Sequence, residues 1–354
     1  MCELALKIAE SLASLLKVFS GFLTDKYRRK KPIAFFGYAT GLLYKGALLV
    51  AGSWGGVLFA RVVDRIGKGV RTAPRDVLVS ESADKGSLGF AFGIHKALDM
   101  AGSALGILLA YLLMTSAHGE FEYKKLFLLS MIPAVIGLGM LFAVRERTAP
   151  RVSRQREPFW RGMRALDGNL KLYLLVAFVF TLGNSSNTFL LLRAKDIGFT
   201  DRNVVLLYLG YNLAAALLAV PCGRLSDRIG RKRLLVGGYI AFAAVYFGFA
   251  FVRSAGGMVA VFLLYGLYAA MTAGVERAFI AEIAPEHLRG TMLGLHSTIV
   301  GVALLPASTI AGLMWNAFGA RAPFVLGASL SLLAALILSL LLGKKHAPAG
   351  QAGA

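Results

Sequence analysis

Polar and apolar positions along the chain fall into long blocks. Runs of about 20 mostly apolar residues, the length that a helix needs to cross the hydrocarbon core of a bilayer, are separated by short polar segments. The pattern predicts an all-α membrane protein with eleven spans, at 3–23, 33–52, 54–78, 90–114, 125–144, 172–192, 204–223, 234–252, 257–281, 291–314 and 323–342.

Two of these predicted spans contain charged residues. The first contains Glu3, Lys7, Glu10 and Lys17, and the third contains Arg61, Asp64, Arg65, Lys68, Arg71, Arg75 and Asp76. Charges at this depth are tolerated where they face a water-filled cavity or a partner helix. We keep the third span because without it the arginine-rich segment 145–171 would lie on the outer side.

The composition supports a membrane location. Hydrophobic residues make up 57% of the chain, which is too apolar for a soluble domain. The net charge of +20 would otherwise indicate a nucleic-acid partner. Because the basic residues concentrate in loops such as 26–31, 145–171 and 224–233, we expect a lipid bilayer as the partner and no nucleic acid.

The same basic loops predict the orientation. Loops rich in Lys and Arg remain in the cytoplasm, so we expect a multi-pass protein of the cytoplasmic (inner) membrane with its linker and C-terminus inside. The two cysteines, Cys2 and Cys222, then lie at opposite faces and do not form a disulfide.

A repeated pattern divides the chain into two similar halves. The loop Gly223-Arg-Leu-Ser-Asp227-Arg228-Ile-Gly230-Arg231-Lys-Arg233 has an earlier copy in 21–31, in which Gly21, Asp25 and Arg29 lie 202 positions before their counterparts. Gly89, Gly93 and His95 return as Gly290, Gly294 and His296 at an offset of 201, and so does Glu81 as Glu282. Such a repeat predicts two bundles of related structure.

The predicted organisation is a bundle at 1–144, a basic linker at 145–171, a six-helix bundle at 172–343 and a disordered tail at 344–354. The second half has about 52 residues before Gly223, which is room for two spans, whereas the first has 20 residues before Gly21, room for one. We therefore expect the N-terminal bundle to lack its first helix.

The repeated loop resembles the signature G-x-x-x-D-R-x-G-R-K of the major facilitator superfamily. The second copy fits at every position, and the first has Lys26 and Arg28 in place of Arg and Gly. The resemblance implies a two-bundle fold, and the span count above makes it about eleven helices (5 + 6). Two halves joined by a long linker favour alternating access. We expect the loops to latch neighbouring helices in one access state, through Gly21, Asp25, Arg29, Gly223, Asp227, Arg228, Gly230 and Arg231. The alternative is that these charges set only the orientation.

The third span has a second resemblance. Arg61-Val-Val-Asp64-Arg65 resembles the family's R-x-x-Q-G pattern, whose Arg is linked to proton movement in relatives. The longer run 61–76, followed by 91–99, resembles a bacterial branch of poorly defined substrate. The resemblance makes Arg61, Asp64 and Arg65 candidates for the pathway, together with Glu10. The alternative for this basic stripe is a structural ion network near the inner face.

The fourth span places His95, Asp99, Gly102 and Gly106 on one face. Asp99 lies about 13 Å from the inner end at 1.5 Å per residue, so it could hold a coupling proton that His95 passes on. A permanent ion pair between Asp99 and the third span is the competing account. Gly102-x-x-x-Gly106 predicts close helix packing and resembles the family's antiporter signature G-x-x-x-G-P, with Ile107 in place of the proline.

The second half offers fewer charged positions. Asn184-Ser-Ser-Asn187 is expected to break the sixth span, and the adjacent Glu276 and Arg277 are expected to pair with other helices. Tyr208, Tyr211, Asn212, Tyr265 and Tyr268 could line a cavity or simply pack.

Motifs of enzymes are not found in the sequence: it has no Walker loop, zinc spacing or nucleophile elbow. We therefore expect no enzyme activity, no cofactor and no metal. The leading hypothesis is proton-coupled efflux of a small molecule by a monomeric antiporter. The alternatives are transport of an organic anion held by Arg61 and Arg65, and a transport-inactive sensor or scaffold.

Overall fold

The computed structural model describes residues 2–27, 29–116, 123–144, 146 and 168–341. Within them the side chains of 2–12, 114–116, 123 and 341 are left undescribed, so the backbone of Glu10 is placed and its side chain is not. Most of the predicted linker 145–171 and all of the tail 344–354 lie outside the described residues, and both stay predictions.

The described part of the chain contains thirteen α-helices and no strand. They are α1 (Cys2–Tyr27), α2 (Lys30–Val50), α3 (Trp54–Glu81), α4 (Leu88–Ser116), α5 (Tyr123–Ala143), α6 (Gly168–Gly183), α7 (Asn187–Asp196), α8 (Asp201–Ile229), α9 (Arg231–Phe251), α10 (Ala255–Thr272), α11 (Val275–Ile283), α12 (Arg289–Phe318) and α13 (Ala322–Leu341). Short 3₁₀ turns at Lys85–Ser87 and Glu286–Leu288 lead into α4 and α12.

Two candidate membrane spans each consist of two consecutive helices. α6 and α7 are separated at 184–186, where Tyr268 Oη lies 3.1 Å from Asn184 Nδ2, and Tyr265 Oη donates to Asn187 Oδ1. This confirms the predicted break, and the two tyrosines hold the asparagine side chains on either side of it. α10 and α11 are separated at Ala273 and Gly274.

Nine segments of the described chain are long and apolar enough to cross a membrane, counting each broken pair as one. α1 and α3 are not among these segments, and α3 contains the seven charges found in the sequence at 61–76. A total of eleven spans stays a prediction.

The halves meet along two helix pairs. α1 packs along α12, and α4 packs along α8. Each contact depends on a glycine: a Cβ added at Gly21 would lie 2.2 Å from the Gly290 carbonyl oxygen, and one at Gly223 would lie 2.3 Å from the Gly89 carbonyl oxygen. Both contacts lie where α1 and α8 end and α4 and α12 begin, which we call the basic end.

The two halves differ in their interior. In the second half, α9 buries an aromatic stripe that includes Tyr239, Phe242, Tyr246 and Phe249, with the Phe180 ring stacked 4.1 Å from Tyr239. There α6 packs against α12 and α13. Among the described residues, no helix takes the equivalent place beside α4 and α5, so the predicted first helix stays a prediction.

The predicted packing pair lies on that open side of α4. A Cβ added at Gly102 or Gly106 would meet no described atom within 4 Å. Among the described helices none packs closely there, and a packing role for this pair stays a prediction.

Candidate functional site

The second basic loop forms a contact between the halves. Both carboxylate oxygens of Asp227, in the last turns of α8, accept hydrogen bonds from the first α4 amides: Gly89 N–H at 2.8 Å and Phe90 N–H at 2.8 Å. A helix N-terminus has unpaired N–H groups and a partial positive charge, so a carboxylate is its natural partner. We call this contact the α8 latch.

Arg231 holds the α8 latch in place. Its guanidinium contacts Asp227 Oδ1 at 2.8 Å and Glu282 Oε2 at 2.7 Å, and it donates to the Lys85 carbonyl oxygen at 2.8 Å. The chain reaches Arg231 through Gly230, whose φ of 96° favours glycine. Arg228 is exposed.

The first basic loop forms the matching α1 latch. Asp25 accepts hydrogen bonds from Gly290 N–H at 2.9 Å and Thr291 N–H at 2.7 Å at the start of α12, and from the Thr291 hydroxyl at 2.7 Å. The cation that corresponds to Arg231 is Lys30, which contacts Glu81 at 2.8 Å, whereas Arg29 is exposed. The first loop has one more residue between its Asp and this cation than the second loop has. The two aspartates are therefore 202 positions apart in the repeat, whereas Lys30 and Arg231 are 201 positions apart.

Two ion pairs join residues that are equivalent in the repeat. Asp76 on α3 contacts Arg277 on α11 at 3.5 Å, and Lys85 contacts Glu286 at 3.2 Å; each pair is separated by 201 positions. Equivalent residues of two related halves can touch only at the axis that relates them. These are therefore axis pairs, and in each the two halves contribute opposite charges.

The Asp76–Arg277 pair, which we call the inner axis pair, lies deeper in the protein than the Lys85–Glu286 pair. Asp76 is 0% exposed and is also held by the neighbouring Arg75, whose Nη2 lies 2.9 Å from its Oδ1. The outer pair, Lys85 and Glu286, is more than 70% exposed on both sides. A buried carboxylate requires cations to remain charged, so Asp76 depends on the second half for one of its two partners.

Glu276 and Arg277 pair with different helices, as the sequence predicted. Arg277 reaches α3, whereas Glu276 accepts a hydrogen bond from Tyr239 Oη on α9 at 3.2 Å and lies 3.9 Å from His296 Nε2 on α12. In the repeat, Arg75-Asp76 corresponds to Glu276-Arg277 with the signs exchanged.

The basic stripe of α3 is engaged within the first half. Lys68 pairs with Asp64 at 2.7 Å, and Arg71 stacks over the Tyr38 ring at 4.6 Å. Arg65 is half-buried. Together with Arg75 beside Asp76, these contacts favour the structural interpretation for the inner part of the stripe.

Arg61 and Asp99 occupy more open positions. Arg61 is exposed and lines a cavity of about 520 Å³ between α2, α3 and α5, with Lys124, Tyr44 and Phe127 among its other walls. Asp99 is half-exposed and pairs at 3.3 Å with Lys96 of its own helix rather than with a third-span arginine. His95 lies on the same helix, within electrostatic range of Asp76.

The sequence reading missed Asp76, Lys30 and the Lys85–Glu286 pair as site residues. A signal for two of these contacts was present in the sequence. At an offset of 201, Asp76 corresponds to Arg277 and Lys85 to Glu286, and opposite charges at matched positions indicate a contact across the axis.

Comparison with known proteins assigns the family. A family model described as the Major Facilitator Superfamily matches residues 8–200 and 172–354, which together cover nearly the whole chain. The chain belongs to the Major Facilitator Superfamily. An uncharacterized MFS-type transporter of Methanocaldococcus jannaschii is 36% identical over 337 residues, covering 94% of this chain and 83% of that protein. The chain is thus a multi-pass membrane transporter of the class that moves small molecules through a lipid bilayer.

Other similarities to this superfamily are more distant. The quinolone resistance protein NorA of Staphylococcus aureus is 28% identical over 148 residues, 42% of this chain and 38% of NorA. The superfamily transporter FucP, solved in the outward conformation, has a TM-score of 0.80 at 11% identity, covering 96% of this chain and 90% of that one. The proton:xylose symporter XylE has a TM-score of 0.76 at 17% identity, covering 97% and 85%. These two structures show the fold alone.

The α8 latch predicts the effect of Asp227→Asn. The variant removes the charge that faces the α4 N-terminus, and a hydrogen bond to a charged group contributes about 1.5–3 kcal/mol. We expect the basic end to open more often while membrane insertion is unchanged, as measured by accessibility labelling from both sides. Asp201→Asn, an exposed carboxylate at the opposite end, is the control. Unchanged labelling together with normal transport would leave the loop as an orientation signal only.

The axis pairs predict unequal costs of neutralisation. Asp76→Asn strands buried cations and is expected to cost about 3–5 kcal/mol of folding free energy, whereas Glu286→Gln removes an exposed pair worth about 0–1 kcal/mol. Unfolding in detergent measures both. The double variant Asp76→Asn/Arg277→Gln should recover part of the loss. Equal effects of Asp76→Asn and Glu286→Gln would contradict the ranking of the two pairs.

Proposed function

We propose that the chain is a secondary active transporter of the cytoplasmic membrane that exports a small molecule in exchange for protons. The observation that carries the proposal is the double latch, in which each half presents a carboxylate to a helix N-terminus of the other. Contacts that only join the two halves at one end can form and break as the halves rock, which alternating access requires.

The described contacts correspond to a state that is closed at the basic end. The α1 latch, the α8 latch and both axis pairs all lie there, and the positive-inside rule puts that end in the cytoplasm. At the opposite end α4 and α8 are joined as well, by Arg202 on α8 over the Tyr111 ring on α4, so a substrate that leaves or enters there must pass beside that contact. Opening inward requires all four contacts to separate together.

Export rather than import is supported by sequence similarity and not by the latch contacts. The partial similarity to a protein named for quinolone resistance favours export of a small molecule. We expect a monomer to be sufficient, because both halves of the pathway lie in one chain.

Everted membrane vesicles test the function. Vesicles from cells that express the chain should accumulate the fluorescent quinolone norfloxacin when the vesicle interior is made acidic. They should lose it when a protonophore is added. Vesicles without the protein are the control. If none of a panel of cationic, neutral and anionic probes moves, and none exchanges down its own gradient, the chain is a membrane sensor or scaffold instead.

Asp99 is our first candidate for the coupling proton, with His95 one turn toward the basic end as its relay. The carboxylate is half-exposed among the described residues, and it pairs at 3.3 Å with Lys96 of the same helix. We expect Asp99→Asn to keep downhill exchange and to lose accumulation against a pH gradient in the same vesicles. Full accumulation by the variant would exclude Asp99 as the coupling site.

Transport of an organic anion is the second candidate function. The cavity beside Arg61 favours it, because Lys124 gives the same cavity a second cation. A cation that faces a wet cavity is well placed to attract an anionic solute.

The anion hypothesis predicts a charge-selective loss. Arg61→Gln should weaken transport of an anionic probe such as fluorescein by about tenfold, the effect of about 1.4 kcal/mol, and leave a neutral probe unchanged. Arg65→Gln, which removes the second arginine of this hypothesis, should show the same charge-selective loss. Equal losses for anionic, neutral and cationic probes would indicate a structural role for Arg61.

A further inference from the structure

We propose that Glu276 and His296 form a second proton-binding site, in the half of the protein opposite to Asp99. The inference rests on the proposed function, since it names a coupling site for the same proton-driven transport. Its ligand is a proton on Glu276 Oε2, which lies 3.9 Å from His296 Nε2, so an approach of about 1 Å would bring the two atoms into hydrogen-bond distance.

The geometry around Glu276 is that of a carboxyl group with one partner missing. Its Oε1 accepts a hydrogen bond from Tyr239 Oη at 3.2 Å, which leaves Oε2 directed toward α12. His296 is 5% exposed, and its Nε2 has no hydrogen-bond partner among the described residues. A buried polar atom without a partner is costly, and a proton on Oε2 would supply the missing donor.

The surrounding charges leave Glu276 without a strong cationic partner in this state. Arg277, its neighbour in sequence, is directed to Asp76 on α3. Lys17 on α1 donates to the Ser297 carbonyl oxygen at 3.4 Å. The other titratable groups near the pair are Tyr173 on α6 and Tyr268 on α10, together with Asp76.

Arg277 connects this site to the inner axis pair. While the basic end is closed, Asp76 engages Arg277, so a protonated, neutral Glu276 is favoured beside it. When α3 and α11 separate, Arg277 loses Asp76 and Glu276 becomes its nearest carboxylate. The arginine then favours the ionised acid, and the proton is released to water at the basic end.

The site therefore predicts the direction of pH dependence. The closed state binds one more proton at Glu276 than the open state does. A lower pH should consequently favour the closed basic end. As the pH rises by one unit, the decimal logarithm of the closed-to-open ratio should fall by up to about one for each coupled proton.

The closed-to-open ratio can be measured at the exposed axis pair. Lys85→Cys and Glu286→Cys replace two side chains whose terminal atoms, Nζ and Oε1, lie 3.2 Å apart across the halves, in a chain whose Cys2 and Cys222 are changed to serine. Because cysteine is shorter than either side chain, a bifunctional maleimide rather than a disulfide joins the two thiols. Cross-linking of the purified full-length protein over a pH series gives the fraction closed. Infrared difference spectra of the same samples detect the protonated carboxyl group directly.

Glu276→Gln is the deciding variant. Its carboxamide can donate to His296 Nε2 at every pH. The slope of the logarithm of the closed-to-open ratio against pH should therefore become smaller by about one, and one protonated-carboxyl band should disappear from the infrared spectrum. Asp201→Asn, an exposed carboxylate at the opposite end, should change neither. An unchanged slope and an unchanged spectrum in folded Glu276→Gln protein would overturn the proposal.

His296→Gln is the second variant and tests the site even if Glu276→Gln does not fold. It removes the imidazole while the acid remains, so the midpoint of the pH dependence should shift and its slope should stay. A midpoint equal to that of the parent protein would overturn the proposed contact between Glu276 and His296. If the pH slope is present but norfloxacin is not transported by the parent protein, the site stands and the efflux proposal fails.

Discussion

Opposite charges that meet at the axis between the two halves are what allow this transporter to close at its basic end. Asp76 has no exposed surface, and one of its two cations, Arg277, comes from the other half of the chain. While it is shielded from water, a carboxylate in that position needs its cationic partners, and Arg277 reaches it only when the two halves are together. The closed arrangement of α3 against α11 depends on this contact.

The α1 latch and the α8 latch also favour the state that is closed at the basic end, but through backbone groups rather than side-chain charges. Each latch joins a carboxylate to backbone amides, so it requires helix ends to approach within hydrogen-bond distance. Gly21 and Gly223 permit that approach, because a larger residue at either position would collide with a facing carbonyl oxygen. Side-chain charge at the axis and backbone proximity at the rim thus stabilise one and the same state.

The sequence predicted the helices, the two halves, the broken sixth span and both latch aspartates, because each leaves a local or periodic signal. It did not predict that Lys30 rather than Arg29 would correspond to Arg231, because one extra loop residue changes the register. The role of Asp76 was hidden among the charges of α3. Its partner lies on a distant helix, and only the charge exchange at matched positions indicates it.

The sign exchange at the axis also makes the two halves non-interchangeable. If two copies of the first half came together in this geometry, Asp76 would face Asp76 and Lys85 would face Lys85; two second halves would bring Arg277 against Arg277 and Glu286 against Glu286. Like charges at such distances repel, most strongly at the buried position. The axis charges at Asp76/Arg277 and Lys85/Glu286 therefore favour the pairing of one first half with one second half over the pairing of two like halves.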